Sequence, residues 1–292
     1  MSGINLLTDF LQHTRYQKGN SEKSIATYRR CLNSFFKWYS ETNGRYPEPN
    51  DITSVDLREY QNFLQNIKGL KANTINLYMK TIRLYLEWLL EKELIGRMPS
   101  FPKNIKIQQT QPKALTRNEQ NRVIREVERS GNIRNIAIIR LLLSCGLRLS
   151  ELISLELSQL DLGERHGFMT IIGKGGKVRK VPVPPEARKA VFDWLAEREK
   201  KGINSNYLFP GRLGGHISKS QVSNIIDNLG HFARLELHPH IFRHTCATNL
   251  VRSNIDLVTV ATILGHSNLS TTKVYTLPDE KTMAAALEQA EV

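Results

Sequence analysis

The sequence predicts a mainly α-helical protein of two domains with one small β-hairpin. Three observations carry that expectation. Apolar residues recur at spacings of three and four over most of the chain, and a proline-bearing stretch interrupts the rhythm just before residue 113. A single pair of β-rich runs flanks the turn Lys174-Gly175-Gly176-Lys177. At 292 residues the chain is long enough for each domain to bury a core of its own.

The first domain, residues 1–96, reads as four helices. Leu6 to Leu11 begin it, and "SEKSIATYRRCLNSFFKWYSE" follows with Ser21 as N-cap and Ile25, Tyr28, Leu32, Phe35, Phe36 and Tyr39 on one stripe. "TSVDLREYQNFLQN" starts at a capping Thr53 and aligns Leu57, Tyr60 and Leu64. "NTINLYMKTIRLYLEWLLEKELI" continues with Ile75, Leu77, Tyr78, Ile82, Leu86 and Leu89. The breakers "GRYPEPND" and "KGLKAN" separate these segments. Residues 97–113 hold prolines and little periodicity, the composition of a linker that lets two domains lie on opposite sides of a ligand. The second domain, residues 114–292, opens on a capping box of Thr116 and Glu119. An apolar helix then runs to Gly146, the hairpin "GFMTIIGKGGKVRKVPVP" follows, and helical patterns resume at "PEARKAVFDWLAERE". The last segment, "DEKTMAAALEQAEV", places Met283, Ala286, Leu287 and Ala290 on one face of a terminal amphipathic helix.

Composition narrows the partner. The formal charge is +13. It is spread along the chain: 16 basic against 10 acidic residues up to residue 110, and 25 against 18 beyond. Both domains are therefore suited to a polyanion, and nucleic acid is the polyanion that two basic domains can share. A membrane surface fits less well, because no polybasic cluster adjoins an amphipathic anchor. No run of about 18 apolar residues and no leader-like N-terminus is present, so neither a membrane span nor secretion is expected. Cys31, Cys145 and Cys246 are far apart and odd in number, which fits a reducing cytoplasm and neither a disulfide framework nor a zinc ribbon.

Four polar sites of the second domain invite chemistry, and each has a plain alternative. In "CGLRLSELISL", Arg148 follows a helix-ending glycine and is placed to grip a phosphate, or simply to pair with Glu151 one turn on. On the hairpin turn, Lys174 and Lys177 suit phosphate contact or proton donation, or are solvated charges. The turn is not a nucleotide loop, since "GKGGK" lacks the GxxxxGK[ST] order. In "HPHIFRHTCATNL", Pro239 opens a helix that puts His240, Arg243 and His244 on one face. A zinc pair is disfavoured there, because Ile241 stands where a metalloprotease needs Glu and Arg243 shares the face. In "LGHSNLSTTKVYT", Gly265 ends a helix, His266 emerges, and Tyr275 follows as a half-buried aromatic or as a nucleophile.

In this order, "GLRLSEL", "IGKGGKVRKVPVP", "HPHIFRHTCATNL" and "LGHSNLSTTKVYT" resemble the tyrosine recombinase (phage integrase) family, in its Xer-like branch. The likeness covers most of Leu115 to Pro278, and four separate ordered motifs make it specific. It implies a fold of two parts: an N-terminal helical core-binding (SAM-like) domain and a C-terminal mixed α/β catalytic domain. The first domain agrees in size and pattern but carries no comparable signature. All six positions that the family uses are filled here, by Arg148, Lys174, His240, Arg243, His266 and Tyr275.

What the resemblance implies is a site-specific DNA recombinase that cuts and rejoins DNA through a 3′-phosphotyrosyl bond on Tyr275. Arg148 and Arg243 would hold the phosphate, His240 accept the tyrosine proton, His266 bond a phosphate oxygen and Lys174 protonate the leaving 5′-oxygen. Glu151 and His244 would orient these groups. No cofactor is implied, neither metal nor nucleotide, and the sequence has no DxD or DDE carboxylate pattern. Implied partners are double-stranded DNA at inverted-repeat core sites, further copies in a tetrameric synapse joined by the C-terminal helix, and in some settings a partner recombinase or accessory protein. A non-catalytic DNA-binding regulator and a type IB topoisomerase-like nicking and resealing enzyme are the competing readings.

Overall fold

A computed structural model describes residues 3–107, 114–173, 176–212 and 214–265. The chain divides into two compact units, Met1–Gln109 and Thr110–Val292. Among the described residues no helix is long and apolar enough to cross a membrane.

The first unit is helical throughout. Its helices are α1 (Gly3–Tyr16), α2 (Glu22–Asn43), α3 (Ser54–Asn62) and α4 (Ala72–Glu91). The starts are where the capping residues put them. Ser21 Oγ accepts from the Ser24 backbone at 3.3 Å, and Thr53 shares a reciprocal capping box with Asp56. The third helical segment is longer in sequence than in α-geometry, because Phe63–Ile67 forms a π-helical turn directly after α3. Its core is rich in aromatic rings: Phe35 meets Tyr60 edge-on at 5.0 Å, and Phe10 meets Tyr85 likewise at 5.4 Å. The Tyr60 hydroxyl stays satisfied by donating to Ser34 Oγ at 3.0 Å. In α4 the buried stripe is Ile75, Met79, Ile82, Leu86 and Leu89, at spacings of four and three. Leu77, expected on that stripe, is exposed because it lies two positions off it.

Residues 97–107, within the expected linker, lie against the first unit. Ser100 N–H donates to Ser54 Oγ at 2.7 Å, and Asn76 exchanges two hydrogen bonds with the Ile105 backbone at 2.9 and 3.0 Å. The Arg83 guanidinium covers the Phe101 ring at 4.3 Å.

The second unit combines helices with a small sheet. Its helices are α5 (Arg117–Arg129), α6 (Ile133–Cys145), α7 (Leu149–Ile153), α8 (Pro185–Lys200), α9 (Lys219–Ala233), α10 (Pro239–Arg252) and α11 (Leu257–Leu264). The strands β1 (Leu160–Leu162), β2 (Gly167–Ile172) and β3 (Val178–Pro182) form an antiparallel sheet in the order β1-β2-β3. The expected hairpin is β2 and β3, with Ile172 opposite Val178 beside the turn. The strand β1, only three residues long, extends it. Helix α6 is the centre of the unit: Ile138, Ile139, Leu141 and Leu142 are fully buried, and α8 and α10 pack on it. Helix α11 packs against α10 and β3.

Gly146, which ends α6, has φ of 59° in the left-handed region. A Cβ there would sit 2.7 Å from Leu264 Cδ2 and 3.2 Å from Cys246 Sγ, so the absent side chain is what lets α10 and α11 close on the end of α6. Gly131 has a similar φ of 64° but open space around it. Replacing Gly131 with Ala should therefore cost only the backbone term, about 1 kcal/mol. Gly146→Ala should add a packing term of roughly 1–3 kcal/mol. Urea denaturation of the two variants measures the difference, and equal losses would show that close approach is not the role of Gly146.

Candidate active site

The site is assembled around the C-terminal end of α11. A helix leaves its last carbonyls without intrahelical partners and carries partial negative charge there. Three consecutive carbonyls at this end each accept from a different arginine. Ile263 O takes Arg179 Nε at 3.0 Å, Leu264 O takes Arg243 Nη2 at 2.6 Å, and Gly265 O takes Arg148 Nη2 at 2.9 Å. The arginines come from β3, α10 and the residue before α7. Gly265, with φ of 66°, turns the chain out of the helix so that its carbonyl joins the other two.

Arg148 reaches this point because Gly146 reverses the chain at the end of α6 and Arg148 then caps α7. Its backbone N–H donates to Glu151 Oε2 at 2.9 Å and its Nη1 to Glu151 Oε1 at 2.7 Å. The two sequence readings of Arg148 are therefore compatible. It is ion-paired with Glu151, and its side chain still keeps 37% of its surface exposed for a ligand. Arg243 is 4% exposed and also donates from Nη1 to Gly146 O at 2.7 Å. Carbonyl oxygens hold a guanidinium in place without cancelling its formal charge.

Glu151 is nearly fully buried, at 5% side-chain exposure. Burial alone would raise its pKa, but hydrogen bonds from Arg179 and then Arg148 outweigh this and hold it below the usual carboxylate range. Arg179 supplies a two-pronged fork, Nη1 to Oε1 at 3.0 Å and Nη2 to Oε2 at 2.8 Å. Arg179 was visible in the sequence only as one more charge after the hairpin turn. Its signal is parity: it shares a strand face with the buried Val181.

His240 and His244 lie one turn apart on α10, with ring centroids 6.3 Å apart. Partial burial, then the nearby His238, Arg243 and Arg148, push the His240 pKa below the ordinary imidazole value. Burial, followed by His240, His238 and Arg243, does the same to His244. Both are thereby favoured as neutral rings that can accept a proton. Five expected site residues, Arg148, Glu151, His240, Arg243 and His244, thus lie in one neighbourhood of the second unit. Lys174, His266 and Tyr275 lie outside the described residues, as do the tail residues Met283, Ala286, Leu287 and Ala290. The hairpin that carries Lys174 is described up to Gly173, whose N–H donates to Lys177 O at 2.7 Å and closes the turn.

Comparison with known proteins agrees over both units. Residues 113–282 match the phage integrase family, and residues 6–95 match the phage integrase N-terminal SAM-like domain. The chain is 32% identical over 302 aligned residues to a tyrosine recombinase XerC of Xanthomonas campestris pv. campestris, covering 98% of this chain and 88% of that protein. It is 30% identical to a tyrosine recombinase XerC of Escherichia coli, with 98% and 97% covered. A crystal structure of the XerH site-specific recombinase bound to a palindromic difH substrate superposes with a TM-score of 0.79 at 22% identity, over 98% of this chain and 84% of that one. The chain belongs to the phage integrase family of tyrosine recombinases, in its Xer-like branch.

Proposed function

We propose that this protein is a site-specific DNA recombinase that cuts one strand at a time with Tyr275 and rejoins it to another. The observation that carries this reading is the pair Arg148 and Arg243, held on the adjacent carbonyls of Gly265 and Leu264. Two guanidiniums fixed beside each other suit the non-bridging oxygens of one phosphodiester.

The roles follow from charge and proton balance. A phenol with a pKa of about 10 is a poor nucleophile at neutral pH until its proton has an acceptor and the developing phenolate a positive field. His240, favoured in its neutral form, accepts the Tyr275 proton. The Tyr275 oxygen attacks phosphorus while Arg148 and Arg243 stabilise charge building on the non-bridging oxygens. His266 donates a hydrogen bond to one of those oxygens. The bond from phosphorus to the 5′-oxygen breaks, and Lys174 supplies the proton that this oxygen needs. One phosphate ester replaces another, so the reverse attack by a 5′-hydroxyl reseals DNA without further energy. The residues carry this step with no role assigned to a metal or nucleotide.

Both units being basic, each contributes phosphate contacts to the duplex, and these supply much of the affinity. The substrate is double-stranded DNA with inverted-repeat core sites, bound by four copies in the synapse. The C-terminal segment with Met283 and Leu287 docks on a neighbouring copy, which ties each Tyr275 to the state of the next. The work, resolution of dimers or cointegrates or movement of an element, takes place in the cytoplasm.

On a nicked suicide duplex that carries the cognate site, wild-type protein should accumulate a covalent adduct, whereas Tyr275→Phe should bind equally and form none. An adduct-free wild type that still binds the site would refute the recombinase reading in favour of a regulator. The second-order rate constant for cleavage reports groups of the free enzyme. Because the His240 pKa is lowered from 6.5, that rate should stay level down to about this pH and fall only below it, as the ring protonates. His240→Gln should be slower by about 100-fold and lose the acid limb. A limb that persists in His240→Gln would assign the proton to another group.

A further inference from the structure

We infer that Arg179 is a positioning residue for cleavage: it takes up the charge of Glu151 so that Arg148 can spend its own on the scissile phosphate. This inference rests on the recombinase reading above and extends it to a residue outside the six-residue set.

The geometry divides one carboxylate between two arginines. Glu151 Oε1 accepts from Arg148 Nη1 and Arg179 Nη1, at 2.7 and 3.0 Å. Oε2 accepts from the Arg148 backbone and Arg179 Nη2, at 2.9 and 2.8 Å. Without Arg179, Arg148 and Glu151 would be a neutral ion pair, and a phosphate would meet little net attraction from that pair, leaving Arg243 as its main cation among the described residues. With it, two guanidiniums face one carboxylate and the group keeps a formal charge of +1. Arg179 is the member spent in this way, because both of its Nη atoms donate to Glu151, whereas the Arg148 side chain gives Glu151 only Nη1 and keeps 37% of its surface exposed.

The same guanidinium supports the neighbouring parts. Its Nε holds Ile263 O at 3.0 Å, and it underlies Gly265 so closely that a Cβ there would lie 2.8 Å from Arg179 Nη1 and 2.9 Å from Cζ. Gly265 is where the chain leaves α11 toward His266. Arg179 also stands two residues beyond Lys177, whose carbonyl closes the turn that bears Lys174. One side chain thus links the anchorage of Arg148 to the segments on either side of it.

The test compares wild type, Arg179→Lys, Arg179→Met, Glu151→Gln and the double variant Arg179→Met with Glu151→Gln. Single-turnover cleavage is measured on nicked suicide duplexes with either a phosphodiester or a neutral methylphosphonate at the scissile position. Arg179→Met should slow phosphodiester cleavage by about 100-fold. Adding Glu151→Gln should restore roughly tenfold, because Arg148 no longer faces an unshared carboxylate. On the methylphosphonate, which lacks one negative oxygen, the gap between wild type and Arg179→Met should shrink to about threefold. Arg179→Lys, which keeps charge but not the fork, should fall between wild type and Arg179→Met. A purely architectural arginine would leave the double variant as slow as Arg179→Met and the gap unchanged on the neutral linkage, and either result overturns the inference. The double variant removes a cation and an anion together, so it keeps the test open if Arg179→Met fails to fold. If wild type cleaves and all Arg179 variants match it, only this inference fails. If wild type forms no adduct on the phosphodiester, the reading beneath it fails as well.

Discussion

The end of α11 is the constraint on which the active site depends. Its last carbonyls, from Ile263 to Gly265, must find donors, and the fold answers with one arginine for each. The arrangement works in both directions. The helix end is satisfied, and three long side chains that would otherwise sample many rotamers are held in fixed places. Since the partners are dipoles, the guanidiniums remain charged and preoriented, which is what stabilisation of a pentavalent phosphate demands. Among the described residues Glu151 is the one carboxylate in this network, and it is shared, so it orders Arg148 without neutralising the Arg148–Arg179 pair.

This anchoring explains the packing around it. Gly146 and Gly265 both adopt left-handed backbone, and at both a Cβ would collide with a group of the network or its support, Leu264 in one case and Arg179 in the other. Helices α6, α10 and α11 converge where those two glycines sit, and the sheet contributes Arg179 from β3. The buried helix α6 therefore meets the elements with the site, so the geometry of the arginines inherits the rigidity of the core. The first unit contributes its own core of packed aromatics, and its basic surplus suits contact with a polyanion.

Much of this was legible in the chain where a local rule decides the structure. Ser21, Thr53 and Thr116 cap the helices that their positions foretell, Gly146 and Gly265 end helices, and the Lys-Gly-Gly-Lys turn joins two paired strands. The face shared by His240, Arg243 and His244 follows from helical spacing alone. Features set by tertiary pairing were not legible. The strand β1 has three residues and no period long enough to register, and the π-helical turn after α3 continues an apolar stripe that a plain helix would also satisfy. Leu77 was misplaced because several phases of the α4 pattern are apolar, and only packing chooses among them. The function of Arg179 depends on Glu151, which lies 28 residues away in sequence, and on a carbonyl 84 residues away, and no local pattern encodes either.

The central claim is that this arginine network serves a phosphate attacked by Tyr275. The most direct measurement is to trap the covalent complex on a suicide duplex, digest it with protease and nuclease, and identify the DNA-bearing peptide by mass spectrometry. The account predicts a 3′-phosphoryl nucleotide on Tyr275, in the peptide that follows His266. DNA attached to any other residue, Tyr207 for example, or attached through a 5′-phosphate, would contradict it.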